Sequence, residues 1–247
     1  MIVAKAGKLA YKLLQGREVC GTAFPVKNCT YVVCESGQVI AIYERGPSLP
    51  FGIRANVRPQ GSVSMCAREI VWKNGKAEWQ LEEEQIAEYE VFDAEKSAAA
   101  VCSALRGEAK TFSDSIGERL KEGAQALAEA LIGRGRGLTP SGDDALVGVM
   151  YAARKTGKQF PLAHEVLARL HKTSAVSAAF LEAAATGETF SAVEEVFGAD
   201  PAFAAEKLSG YGSESGQAVL AGMAAFFTYS KENGDEYEQR ILWVIGQ

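Results

Sequence analysis

Histidine and paired cysteine are scarce in this sequence, and their scarcity removes whole classes of chemistry. There are two histidines, His164 and His171, and five cysteines with no C-x-x-C pair among them. Cys20, Cys29, Cys34, Cys66 and Cys102 are scattered and odd in number. They read as small apolar residues of a reducing compartment, not as a disulfide frame or a zinc site. The histidines are two helical turns apart, where a pair of ligands on adjacent turns needs a separation of one. With only these two, a Ser-His-Asp arrangement is disfavoured as well. Gly212-Ser213-Glu214-Ser215-Gly216 lacks the G-x-S-x-G spacing of a nucleophile elbow. GLTPSGDD at 137–144 has no lysine behind a second glycine and is therefore no P-loop, and the glycines of 133–137 do not continue as G-x-G-x-x-G.

Long apolar runs are missing too. The longest lies near Ala218–Phe227, far short of the ~20 residues a membrane helix needs. The opening MIVAKAGKLAYKLL is interrupted by Lys5, Lys8 and Lys12 and has no stretch of signal-peptide type. Leu9 and Leu13 at helical spacing predict a short amphipathic helix there. The expectation is a soluble, cytoplasmic protein. A net charge of −5 argues against a nucleic-acid binder and gives no reason to expect a membrane partner. The charge is unevenly divided: residues 1–80 carry 11 Lys and Arg against 5 Asp and Glu, residues 81–247 carry 15 against 26. Two regions with different surfaces follow from that asymmetry.

At 247 residues and 47% hydrophobic content, the chain can bury a substantial core without staples. From Val19 to Leu81 the texture is strand and turn. Thr30–Cys34, Val39–Tyr43, Val63–Ala67 and Ile70–Trp72 are rich in β-branched and aromatic residues, and Lys73-Asn74-Gly75-Lys76 carries an Asn-Gly hairpin signal. Glu82-Glu83-Glu84 opens an acidic stretch running to Glu95, read as a solvated helix face or linker and as the boundary between two domains. Beyond it the sequence is alanine-rich. Ile116, Leu120, Gly123, Leu127 and Leu131 step by 4, 3, 4 and 4, which predicts one continuous helical face feeding into a glycine loop. Leu162–Leu170 predicts a further helix carrying both histidines, in surface roles. The fold class is α+β: a small N-terminal β-barrel or sheet domain over 1–85, and a larger all-helical domain over 86–247 with two buried central helices.

The chain is organised around GRGRGLTPSGDDALVGVMYAA at 133–153. Three glycines alternate with Arg134 and Arg136, making either a loop that approaches a ligand or a very tight turn. Ser141 reads as the N-cap of a helix with an acid three residues on, and the uncharged run 145–153 predicts a helix buried all round. Its positive end would attract anions, or the acids would simply cap a core helix. Ser215-Gly216-Gln217-Ala218-Val219-Leu220-Ala221-Gly222 repeats the S-G-x-x-x-L-x-G frame of 141–148. If the two helices pack side by side, Gly148 and Gly222 allow close backbone contact and both N-termini face one cleft. Thr173, Ser174 and Ser177 stand where another helix begins, either as caps or as hydroxyls near the first loop. A metal pair at Asp143 and Asp144 is disfavoured, because neighbours on a helix point about 100° apart.

GLTPSGDDALVG at 137–148, KTSAVSAAFLEAAATGE at 172–188 and GYGSESGQAVLAG at 210–222 together resemble the AllH-like family, whose named member is a subunit of oxamate carbamoyltransferase from anaerobic allantoin degradation. In the third motif Gln217 and Ala218 stand where an acidic residue is expected behind the Ser-Gly pair, which counts against an acid role for that loop. The resemblance implies carbamoyl exchange between oxamate and phosphate, through oxalurate and carbamoyl phosphate, with other carbamoyltransferase subunits as partners; the residues themselves suggest no cofactor and no metal. With Arg134 and Arg136 of the glycine loop, the matched motifs give a candidate substrate-binding set of Gly137, Thr139, Ser141, Gly142, Thr173, Ser174, Ser177, Ser213, Ser215 and Gly216. Arg134, Arg136 and the N–H groups near Ser141 would hold a small carboxylate or phosphate, and Asp143 or Asp144 would accept from an –NH₂ group or act as a base. A non-catalytic metabolite-binding or scaffolding subunit, and a different carboxylate-handling enzyme on the same fold, stand as alternatives.

Overall fold

The computed structural model describes residues 1–86, 93–158 and 160–245, with side chains described as far as Asn233. Eight strands close into a barrel: β1 (Ile2–Gly7), β2 (Val19–Pro25), β3 (Cys29–Cys34), β4 (Val39–Tyr43), β5 (Gly52–Arg54), β6 (Gly61–Met65), β7 (Glu69–Trp72) and β8 (Gly75–Glu84). Around the barrel the order is β1-β5-β4-β3-β2-β6-β7-β8. Neighbours run antiparallel except β1 with β8 and β4 with β5. Val32, Ile40, Ile42, Ile53, Met65, Ile70 and Trp79 fill the barrel interior. β4 is buried on both faces because Ala41 and Tyr43, together with Phe51, are covered from outside by Ala179 and Phe180.

Two sequence expectations change here. The predicted N-terminal helix is only half helix. Ala4 and Ala6 alternate with exposed Val3 and Lys5, a period of two, so Ile2–Gly7 enters the barrel as β1 and the helix α1 spans Lys8–Leu14. Glu82-Glu83-Glu84 is strand rather than solvated helix or linker: its residues pair with Lys5, Ala6 and Gly7 across the parallel seam, with backbone hydrogen bonding outweighing their polarity. The rest of the acidic stretch, 87–92, lies outside the described residues.

The helical region comprises α2 (Ala94–Ala104), α3 (Glu108–Glu122), α4 (Ala124–Leu131), α5 (Ser141–Lys155), α6 (Leu162–Leu167), α7 (Ala175–Ala185), α8 (Ser191–Glu195), α9 (Pro201–Ser209) and α10 (Ser215–Ile245). The face predicted as one continuous helix is two, because Gly123 takes φ +105° and breaks the chain between α3 and α4. Ile116, Leu120, Leu127 and Leu131 are buried nonetheless. The helix predicted over 162–170 stops at Leu167, and His171 sits in a following 3₁₀ turn; both histidines are exposed.

α5 is buried from Gly142 to Ala153, and α10 from Ala218 to Phe227. The two make the core of the helical region. At their crossing a Cβ on Gly148 would collide with the Val219 carbonyl oxygen, and one on Gly222 with that of Ala145. The close backbone approach anticipated for this glycine pair is what the structure contains. Among the described residues no helix is long and apolar enough to cross a membrane.

Candidate functional site

The starts of α5 and α10 meet. Thr139 Oγ1 lies 3.1 Å from Ser215 Oγ. The repeated Ser-Gly frame therefore brings two helix N-termini to one corner, half-buried at Thr139, Ser141 and Ser215 and exposed at Gly137 and Ser213.

Asp143 and Asp144 are both buried, at 1% and 7% exposure, yet their surroundings differ completely. Asp143 is saturated. Its Oδ1 accepts from Gly133 N at 2.7 Å, and its Oδ2 accepts from Ser177 Oγ at 2.7 Å and from the Thr173 hydroxyl. Thr173 and Ser177, candidates for substrate recognition, thus grip a carboxylate of the chain itself. Ser174 caps α7, its Oγ accepting from Ser177 N at 3.0 Å and donating to the Leu138 carbonyl, so the second motif ties the first loop down.

Asp144 is the opposite case. Its Oδ2 is buried without a hydrogen-bond partner. Burial raises the carboxyl from 3.8 to about 7, with the Asp143 charge adding to the rise and the Ser215 hydrogen bond opposing it. It is a carboxyl that carries or loses a proton near neutrality.

The N-cap expectation is corrected. Pro140 occupies the cap position in extended backbone, Ser141 is the first helical residue, and the end has no side-chain cap. Proline lacks the N–H that a cap leaves idle, and its carbonyl accepts from Asp143 N at 2.9 Å and Asp144 N at 3.1 Å. Gly142 N donates to Arg134 O at 2.8 Å, and Gly216 N donates to Tyr211 O at 2.9 Å. These first-turn amides are already engaged, so the N–H groups of Gly142, Asp143 and Asp144 expected to hold an anion near Ser141 are spent within the chain. Of the two readings of the glycine loop, the tight turn fits: a Cβ at Gly135, whose φ is +129°, would run into Ser141. Arg134 and Arg136 stand exposed on this turn, with Arg134 Nη1 3.5 Å from the Ala130 carbonyl.

On the barrel side, Tyr31 of β3 has its phenol held protonated first by burial, then by the neighbouring Cys29 thiol, with the Asp144 carboxylate the smallest contribution. The Cys29 thiol is pushed up by burial, opposed by its hydrogen bond with Tyr31 and by the Arg58 guanidinium. Nothing local marks Tyr31, which sits in an ordinary strand pattern and packs in one cluster with Ala179 and Phe180 of α7.

The family model for oxamate carbamoyltransferase subunit AllH matches residues 131–227. That stretch begins at the last residue of α4 and ends in the buried part of α10, so the AllH match takes in both helix starts, Asp143, Asp144 and the hydroxyls of the second motif, and leaves the barrel outside. It is the family that the three motifs resemble. No curated protein and no solved structure matches the chain.

Proposed function

We propose that this chain is a subunit of a carbamoyltransferase acting on oxamate, oxalurate and carbamoyl phosphate, with its substrate at the corner where α5 and α10 begin. The observation that carries the reading is Asp144: a buried carboxyl between two helix starts, with one oxygen unpartnered and an affinity for protons poised near pH 7. In phosphorolysis a phosphate oxygen attacks the carbamoyl carbon of oxalurate, the bond from that carbon to the oxamate nitrogen breaks, and the departing nitrogen needs a proton. Protonated Asp144 supplies it and recovers it in the reverse direction. The Thr139 and Ser215 hydroxyls donate to the oxygens of the bound acid, and the positive ends of α5 and α10 favour its charge. Asp143 holds Gly133, Thr173 and Ser177 in place behind this arrangement. Residues 1–85 and 86–247 act as separate domains in this reading, in contact through Phe51 with Phe180 and Ser48 with Ser191.

The engaged amides of Gly142, Asp143, Asp144 and Gly216 favour a second reading, a scaffolding subunit whose catalytic groups come from partner chains. Oxalurate phosphorolysis by the chain alone, by the chain with its partner subunits, and by both with Asp144→Asn distinguishes the two. The catalytic reading expects a loss of roughly 100-fold at pH 7 in Asp144→Asn. Full activity of the assembled variant removes the catalytic role and leaves the scaffold.

A further inference from the structure

A polar cavity of about 400 Å³ lies on the seam between barrel and helices, walled by Lys8, Glu83, Glu84, Glu188, Thr189 and Glu194 among others. The seam is fixed on one side by Ser48 and Ser191: Ser191 N donates to Ser48 O at 2.9 Å and Ser48 N donates to Ser191 Oγ at 3.1 Å. Lys8 pairs with Glu188, Arg54 with Glu84 at 3.2 Å, and Lys155 with Glu194 at 2.9 Å. The carboxylates of Glu83, Glu84, Glu188 and Glu194 give the wall an acidic character. Two acceptors in its wall are buried without a hydrogen-bond partner: Glu84 Oε2, whose sister oxygen holds Arg54, and the Thr189 hydroxyl, on a residue only 5% exposed. A carboxylate oxygen removed from water without a donor is costly.

We infer that this cavity is a binding site for a small organic cation bearing N–H donors, a primary ammonium or a guanidinium. Such a group brings positive charge to an acidic wall and the donors that Glu84 Oε2 and Thr189 Oγ1 lack. Geometry makes the N–H groups, not charge alone, the recognised feature: both unpartnered atoms can accept, and a tetramethylated ammonium, which has no N–H, offers them nothing. The site is separate from Asp144 and does not depend on the carbamoyltransferase reading.

Calorimetric titration of the full chain with methylammonium, 1,4-diaminobutane and guanidinium, against tetramethylammonium and magnesium, tests it. Saturable binding of at least one N–H cation is expected, with tetramethylammonium and magnesium at least tenfold weaker. Glu84→Gln should weaken the N–H cation at least tenfold and Thr189→Val by a few fold, while Asp144→Asn leaves it unchanged. Equal binding of tetramethylammonium, preference for magnesium, or no saturable binding of any probe overturns the assignment, the last meaning that the cavity holds water only. The comparison among cations uses the unaltered protein, so it stands even where Glu84→Gln fails to fold.

Discussion

The beginnings of α5 and α10 are built to one pattern and used differently. Each opens Ser-Gly, each turns its second-residue N–H back onto a preceding carbonyl, and each packs that glycine against a backbone oxygen, Leu131 for Gly142 and Leu208 for Gly216. Behind the glycine they diverge. α5 has Asp143 and Asp144. α10 has Gln217, whose side-chain oxygen accepts from Arg106 N and whose amide donates to Ala104 O, both at 2.9 Å. One copy gathers buried acid, and the other bolts down the turn between α2 and α3. A shared helix start is a framework: its third residue, Asp143 or Gln217, holds a neighbouring segment in place, and its fourth, Asp144 or Ala218, sets whether a buried carboxyl stands behind it.

The largest expected break in that comparison comes from Asp143→Ala. Gly133 N–H, Thr173 and Ser177 would lose their acceptor in a dry site, at a cost of about 5 kcal/mol in urea unfolding. Asp144→Asn sharpens it from the other side. The native carboxyl titrates at about 7 against 3.8 in the unfolded chain, so the stability it contributes is complete below pH 4, falls as pH rises, and is lost above pH 7. Unfolding measured from pH 4 to 8 should show a decline of about 4 kcal/mol that Asp144→Asn flattens. Gly222→Ala forces α10 away from the Ala145 carbonyl and should cost about 3 kcal/mol, with Gly148→Ala close to it, since the two glycines face the same crossing. Gln217→Ala is the mildest, about 1.5 kcal/mol by the same unfolding assay, because Arg106 N lies at an exposed turn where water replaces the lost acceptor. A Gln217 effect equal to that of Asp143 would erase the distinction between the two starts.

Much of this architecture was legible in the chain. The strands around Thr30–Cys34 and Val39–Tyr43, the all-round burial of 145–153 and the glycine contact at 148 and 222 follow from period and composition, which are local signals. The closure of the barrel by β1 and β8 was not: pairing across more than seventy residues leaves no mark on either strand, and Glu82–Glu84 look soluble until Lys5–Gly7 lie beside them. At the site, the second motif was legible as important but its partner was not. Thr173 and Ser177 bind Asp143 because α7 folds back on α5, and no spacing announces that. Which of two adjacent acids is saturated and which is left hungry depends on those long-range neighbours alone.

Because the first strand hydrogen-bonds to the eighth, a ribosome making this protein must hold six residues in waiting until codons 75–84 have been read. Every nascent chain shorter than that has a split cylinder with two raw borders, the state most open to sticking to its neighbours. A late-synthesised seam of this kind should make premature termination between strands seven and eight especially harmful, and should make slow translation just before residue 75 a measurable source of insoluble product.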